Sequence, residues 1–449
     1  MRGSRVKTFI FAIIFIGLAF AIINLLGSNF TDNEPPKISI KDEIYWNQKS
    51  PIDLNITDNS AVESLKISLS DANSTKIILD QSVNESKTRL ELSLKLPKEL
   101  ILDKNQIYKL TIEAKDFNIF GGNKAVKSVN LIIDNKTPQI QIINQSYKIT
   151  KGGSAVVVFR AVDENLNELY IQSDKHIFKP TKFIKDGYWA SLVAWDIRNP
   201  RFNAKIIAID KAGNRAVSNI GYYLHDRKYK ESIITLSDNF LDGKIDELAN
   251  QYAPNYADLD RLDKFKFVNE TLRESNENII RKVTSAVPEE IIESFYIKPF
   301  YPLRNGAVVA SFGDHRFFTY EGNRVSESWH MGLDLASTAK AVMVTNNPAF
   351  VAFNELNGIY GDSIILYHGF GLYTLYGHSN EISVKVGEHI GANHIIGKTG
   401  TTGLSLGDHL HFGVIVQGVE VRPEEWMDKK WLQDNIYDVL NTAKKAIKG

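Results

Sequence analysis

The sequence predicts a mainly β chain of several domains, with one apolar helix at its start and a helical connector before its last β domain. Three observations carry this. At roughly 150 residues per domain, 449 residues make about three domains. Short alternating runs dominate from Pro35 to about Leu224, and the period turns helical between Lys228 and Lys298. Glycine-punctuated alternating runs return after Tyr301. A composition of 43% hydrophobic and 24% charged residues excludes a wholly disordered chain. Equal numbers of basic and acidic side chains, 53 of each, speak against a nucleic-acid partner, whose phosphates require a basic excess. The chain has no cysteine, which removes disulfides, thiol nucleophiles and iron–sulfur clusters. Any metal must then be held by His, Asp or Glu.

Residues 1–7, with Arg2, Arg5 and Lys7, are expected to be a basic cytoplasmic segment, and residues 8–26 a transmembrane anchor. The apolar run from Phe9 to Leu26 is broken by Gly17 and Asn24 and would reach about 27 Å as a helix. A cleaved signal peptide is the rival reading, through Ala19-Phe20-Ala21, although Ile22, Ile23, Leu25 and Leu26 prolong the run. Basic residues before the run, with Asp32 and Glu34 after it, place the bulk of the chain outside the cytoplasm.

Lys37–Ile40, Leu65–Leu69, Lys109–Ile112 and Ser128–Ile133 read as half-buried strands. The block repeats. Pro36-Lys37-Ile38-Ser39-Ile40 returns as Pro138-Gln139-Ile140-Gln141-Ile142, 102 residues later. Ala114-Lys115-Asp116 with Gly122-Asn123 returns as Ala208-Ile209-Asp210 with Gly213-Asn214. Two units, 34–135 and 136–226, suit β-sandwiches and resemble tandem bacterial Ig-like domains, expected to act as spacers or to bind protein partners.

In the connector, 227–298, Ser237-Asp238 is an N-cap ahead of Phe240, Leu241, Ile245 and Leu248. Leu262, Phe265, Val268, Leu272, Ile279, Ile280 and Val283 mark a second helix, with Pro288 beyond it. Such stripes suit either a permanent scaffold or a flap over a site. Residues 299–428 form the next domain and 429–449 a C-terminal helix.

Eight of the ten histidines lie between His315 and His411. Two short spacings stand out: His330-Met331-Gly332-Leu333-Asp334, and His409-Leu410-His411 ahead of the apolar run Phe412–Val416. Residues i and i+2 of a strand share a face, with Cα atoms about 6.6 Å apart, so one imidazole can bind a metal while the other faces a water beside it. A catalytic zinc takes three protein ligands and keeps one position open. His330, Asp334 and one histidine of the pair supply that number. One carboxylate with two neutral imidazoles leaves the centre at +1, a strong Lewis acid. No HExxH sequence supplies a glutamate base. The proton carrier is then the spare histidine of the 409/411 pair or His378, in Tyr376-Gly377-His378-Ser379.

The stretch from about Gly306 to Met427 resembles the LytM/lysostaphin-type zinc metallopeptidases that cut peptidoglycan cross-links. Its matching pieces are Ser311-Phe312-Gly313, Trp329–Ala336, His368–His378, the glycines 387, 391, 397, 400 and 403, and Ser405–Phe412. The resemblance implies an antiparallel β core and one Zn2+ per chain, with His330, Asp334 and His411 as ligands and His378 and His409 as catalytic histidines. It departs from the family pattern at Asp408, where proline is usual, at Ala339-Lys340, where a glycine is common, and at His315-Arg316. The expectation is a single-pass protein of the bacterial inner membrane, working in the periplasm as a zinc endopeptidase on peptidoglycan peptides. A zinc D,D-carboxypeptidase or protein-directed peptidase is the alternative, and a non-catalytic LytM-like activator of another wall hydrolase the second. His368 is expected to be structural, His389 and His394 to lie at the surface, and Tyr320 and Tyr376 to be buried core residues.

Overall fold

The computed structural model describes residues 2–25, 33–83, 87–97, 100, 102–104, 107–117 and 121–449. It is mainly β, with mixed sheets, and divides into two compact units. The first holds Met1–Pro138 with 163–167 and 209–215, and the second holds the remainder.

The expected architecture is corrected in two respects. A helix spans Arg2–Leu25, and its side chains are described from Phe9 to Ile22. Among the described residues no helix is long and apolar enough to cross a membrane. The 8–26 anchor, the inner-membrane partner and the single-pass periplasmic placement are therefore withdrawn; Met1, Leu26 and Asp32 lie outside the described residues.

The second correction concerns the Ig-like pair. Ig-like sandwiches are built from antiparallel sheets and close on themselves. Here Glu43–Trp46 pairs in parallel with Lys124–Ile133, and Lys148–Thr150 with Tyr223–His225. Thr181–Phe183 takes a parallel edge partner, Ile291–Ile292, from beyond the helices. Val156, Phe159 and Leu192 share one core with Phe412, Val414 and Trp426, so the second block does not bury its apolar face alone. The repeated Asp and Asn make the same contact in each block. Asp116 accepts from the backbone and side-chain N–H groups of Asn123, and Asp210 does the same with Asn214, each closing a turn between neighbouring strands.

The helices run between Asp238 and Thr284, and Ser237 caps the first by accepting from Phe240 N–H. Glu231–Thr235, just before these helices, is a strand that pairs in parallel with His315–Tyr320.

The last domain is an antiparallel sheet. Its main path runs Ala307–Ala310, Leu333–Ala336, Leu410–Val416, Leu372–Ile382, Asp362–Tyr367, Ala349–Leu356 and His389–Ile390. Side chains alternate along Leu410–Val416. Leu410, Phe412, Val414 and Val416 enter the core shared with the C-terminal helices, whereas His411 and Ile415 point to the other face. Ile415, Leu375 and Ile365 are covered there by Phe265, Val268, Leu272 and Ile280 of the connector helices. Phe265 is 1% exposed and meets Phe318 edge-on at 5.2 Å. Phe265→Ala should cost about 3–5 kcal/mol, read as a lower urea midpoint at unchanged slope.

Arg198 bridges Glu277 of these helices at 3.0 Å and Glu420 of the sheet at 3.6 Å. Asn276 accepts from Ile359 N–H at 2.9 Å, and so fixes the turn that carries Tyr360. At the opposite end of the shared core, Glu425 accepts from Ser154 N–H at 3.0 Å, with Arg422 3.7 Å away. Burial pushes the Glu425 carboxyl up to about 7 from 4.5. The folded state then binds more protons than the unfolded state between those values, so Glu425 lowers stability as pH rises from about 5 to about 7. Thermal melts at pH 5 and pH 7.5 should differ less in Glu425→Gln than in the wild type.

Candidate metal centre

Three strands bring the ligands together. His330 ends the Asn323–Trp329 hairpin strand, and its N–H donates to Asp314 O. Asp334 lies in Leu333–Ala336, directly across from His411 in the neighbouring strand. His411 in turn faces Gly377, the residue before His378. Gly332 allows this approach, because a Cβ there would lie 2.6 Å from His411 Nε2 and 2.8 Å from Phe412 O.

The donor atoms are His330 Nε2, Asp334 Oδ1 and His411 Nδ1. They are separated by 3.0 Å (His330–Asp334), 2.9 Å (His411–Asp334) and 3.3 Å (His330–His411). Tetrahedral zinc with bonds of about 2.0–2.2 Å holds its ligand atoms about 3.3–3.6 Å apart, so the set takes the ion once its atoms part by a few tenths of an ångström. His330 Nδ1 donates to Ser311 O at 2.8 Å, which leaves the lone pair on Nε2. Burial raises the Asp334 carboxyl, but the imidazoles of His330, His409 and His411 around it outweigh burial and hold the group far below the usual carboxylate range. These residues form one zinc site per chain.

Two further imidazoles stand beside it. His378 and His409 have ring centroids 4.7 Å apart, and His409 Nε2 lies 3.6 Å from Asp334 Oδ1. A carbonyl can only accept, so Nδ1 carries the proton in both: His378 donates to Thr402 O and His409 to Gly407 O, each at 2.7 Å. His378 holds a positive φ of 60°, a left-handed conformation uncommon outside glycine. Burial, with repulsion from His411 and His409, pushes its imidazole down to about 3. For His409, burial is outweighed by Asp334 and the Gly407 carbonyl, and its pKa is raised.

The structure thus gathers His330, Asp334, His411, His378 and His409 at one place. Sequence reasoning missed Tyr360, fully buried, whose ring meets His411 edge-on at 5.4 Å. It also missed the carbonyls of Ser311, Thr402 and Gly407, since a backbone acceptor leaves no residue-type signal. His368 lies away from the site, bonded to Pro348 O and Thr374, and burial lowers it to about 4. Tyr376 is buried against Phe412 on the far face. Tyr320 is not a core residue: its hydroxyl bonds Asp238 at a part-open surface.

A buried His–Asp–His triad on an antiparallel sheet, with two free imidazoles at its edge, defines a zinc metallopeptidase domain. Residues 328–423 match peptidase family M23, and the chain carries such a domain near its C-terminus. The DD-carboxypeptidase/endopeptidase Mpg of Neisseria meningitidis serogroup B is 30% identical over 108 residues, 24% of this chain and 25% of that protein. The peptidoglycan DD-endopeptidase ShyA of Vibrio cholerae is 32% identical over 89 residues, 20% of this chain and 21% of its own. The chain thus spans about a quarter of the length of the curated relatives it matches. Among solved structures, the catalytic domain of the antimicrobial peptidase lysostaphin from Staphylococcus simulans is 24% identical, with a TM-score of 0.24, over 27% of this chain and 92% of that one.

Proposed function

We propose that the C-terminal domain hydrolyses peptide cross-links of peptidoglycan, with His378 and His409 as its catalytic histidines. The observation that supports this best is the pair of imidazoles whose Nδ1 atoms are tied to carbonyls and whose Nε2 atoms remain for the reaction, beside a complete ligand triad. The named activity of ShyA, a peptidoglycan DD-endopeptidase, points to the same substrate class. The complete triad argues against a non-catalytic activator.

Zinc, when bound, supplies a Lewis acid that acidifies a water and polarises the scissile carbonyl. The protein residues divide the proton work. His378, with its Nδ1–H tied to Thr402 O, presents an Nε2 lone pair and takes the proton of the attacking water. His409, with its raised pKa, presents Nε2–H to the developing oxyanion. Asp334, whose Oδ1 lies 3.6 Å from His409 Nε2, would be the carboxylate ligand of the ion.

A second reading, a D,D-carboxypeptidase, draws on one feature. Ile415, four residues along the strand from His411 on the same face, lies under the connector helices. A sheet face closed on that side suits a substrate whose chain ends near the scissile bond. Incubating the full chain with purified muropeptide dimers and with pentapeptide monomers, followed by mass analysis, separates the two. Dimer cleavage supports the endopeptidase, loss of one terminal residue from monomers supports the carboxypeptidase, and intact substrates with zinc bound overturn both.

A further inference from the structure

The loop that delivers His409 is tied to two other segments through one carboxylate. Asp408 Oδ1 accepts from Thr399 Oγ1 at 2.5 Å, and Oδ2 accepts from the backbone N–H of Lys340 at 2.9 Å. The Thr399 hydroxyl also accepts from Ala341 N–H at 2.9 Å, and Thr399 N–H returns a bond to Ala341 O. Thr399 is 1% exposed, so this end of the clasp is closed to water. On the other side, His409 N–H donates to Gly400 O, one residue from Thr399.

Lys340 has a φ of +56°, the left-handed region that favours glycine. Its N–H bond to an ionised carboxylate is of the strong, charge-assisted kind and offsets that strain. The geometry makes Lys340 and Asp408 one device. A non-glycine residue at the turn is held by an aspartate in the loop before the histidine pair.

We propose that Asp408 is a positioning residue for His409. Its carboxylate clamps the Lys340 turn and Thr399 to the 405–409 loop, and this fixes the backbone from which the His409 imidazole reaches Asp334 and the substrate. The inference rests on the reading of His409 as a catalytic histidine. Displacing such a group by a fraction of an ångström costs rate without removing the metal.

The test uses the full-length zinc-loaded chain on muropeptide dimers. Asp408→Ala should lower kcat about tenfold or more, with KM and zinc content unchanged. Adding Lys340→Gly to Asp408→Ala should restore most of the lost rate, because glycine holds the turn without the carboxylate. Thr399→Val should lower kcat in the same direction and carries the test if Asp408→Ala fails to fold. In the zinc-free protein, the His409 ring signal in an NMR spectrum should broaden or shift in Asp408→Ala and return in the double variant. A wild-type kcat in both Asp408→Ala and Thr399→Val overturns the inference, as does a kcat loss that Lys340→Gly leaves untouched. His409→Ala separates the two levels: if it turns over normally, the catalytic reading of His409 fails and takes the inference with it. If it is inactive while Asp408→Ala and Thr399→Val are both normal, the inference alone fails.

Discussion

Replacing His330, Asp334 or His411 by alanine is expected to remove bound zinc and reduce hydrolysis to background while the fold persists. Each supplies one of three donor atoms that lie within 3.3 Å of one another, and two ligands leave the ion too exchangeable to stay. His378→Ala and His409→Ala should behave differently. Their Nε2 atoms serve protons, so zinc stays and turnover falls by about 10²–10⁴. Metal analysis beside a turnover assay on the five variants checks this. Full zinc occupancy in the three ligand variants would refute the ligand assignment, and metal loss in His378→Ala or His409→Ala would move that residue into the ligand set.

Gly332→Ala should be nearly as severe although it deletes nothing. The added methyl would lie 2.6 Å from His411 Nε2, 2.7 Å from His411 Cε1 and 2.8 Å from Phe412 O. Neither neighbour can retreat: the imidazole is held by Asp334 and His330, and Phe412 belongs to a fully buried strand. The strain should lower zinc affinity about 10–100-fold and destabilise the fold by about 1–3 kcal/mol. A competitive chelator titration and a thermal melt read both. Wild-type zinc affinity in this variant would mean that the strands are farther apart than described.

The zinc ligands were legible because their spacings follow strand geometry: His409 and His411 alternate with Leu410, and Asp334 follows His330 at a distance one short turn can span. Their partners were not legible, since Ser311, Thr402 and Gly407 act through carbonyls that any residue possesses. The connector helices showed in the stripe Phe265, Val268, Leu272, but Glu231–Thr235 and Ile291–Ile292 did not show as strands. Both are edge pieces whose pairing partners lie far along the chain, so local period says little about them. The Ig-like expectation failed for a related reason. The strands of 136–226 are there, but whether a sheet closes on itself depends on what packs against it, and Val156 and Phe159 share one core with Val414 and Trp426. The apolar start shows the limit of hydropathy alone: the run reads as a span, yet no described helix meets the length and polarity that crossing requires.

The core that joins Ile149 and Val158 to Phe412, Trp426 and Ile447 decides where this enzyme can be cut and spliced. A motif search would place the seam near Pro299 and treat everything after it as a portable catalytic cassette. Such a cassette would leave behind the helices over Ile415, Leu375 and Ile365, and the strands that meet Val414 and Val416, so it would carry two bare apolar faces into water. A seam near Gln139, where the second compact unit begins, keeps both faces covered. Chimaeras joined there should inherit the peptidase as a folded part, and shorter grafts should inherit an aggregating one.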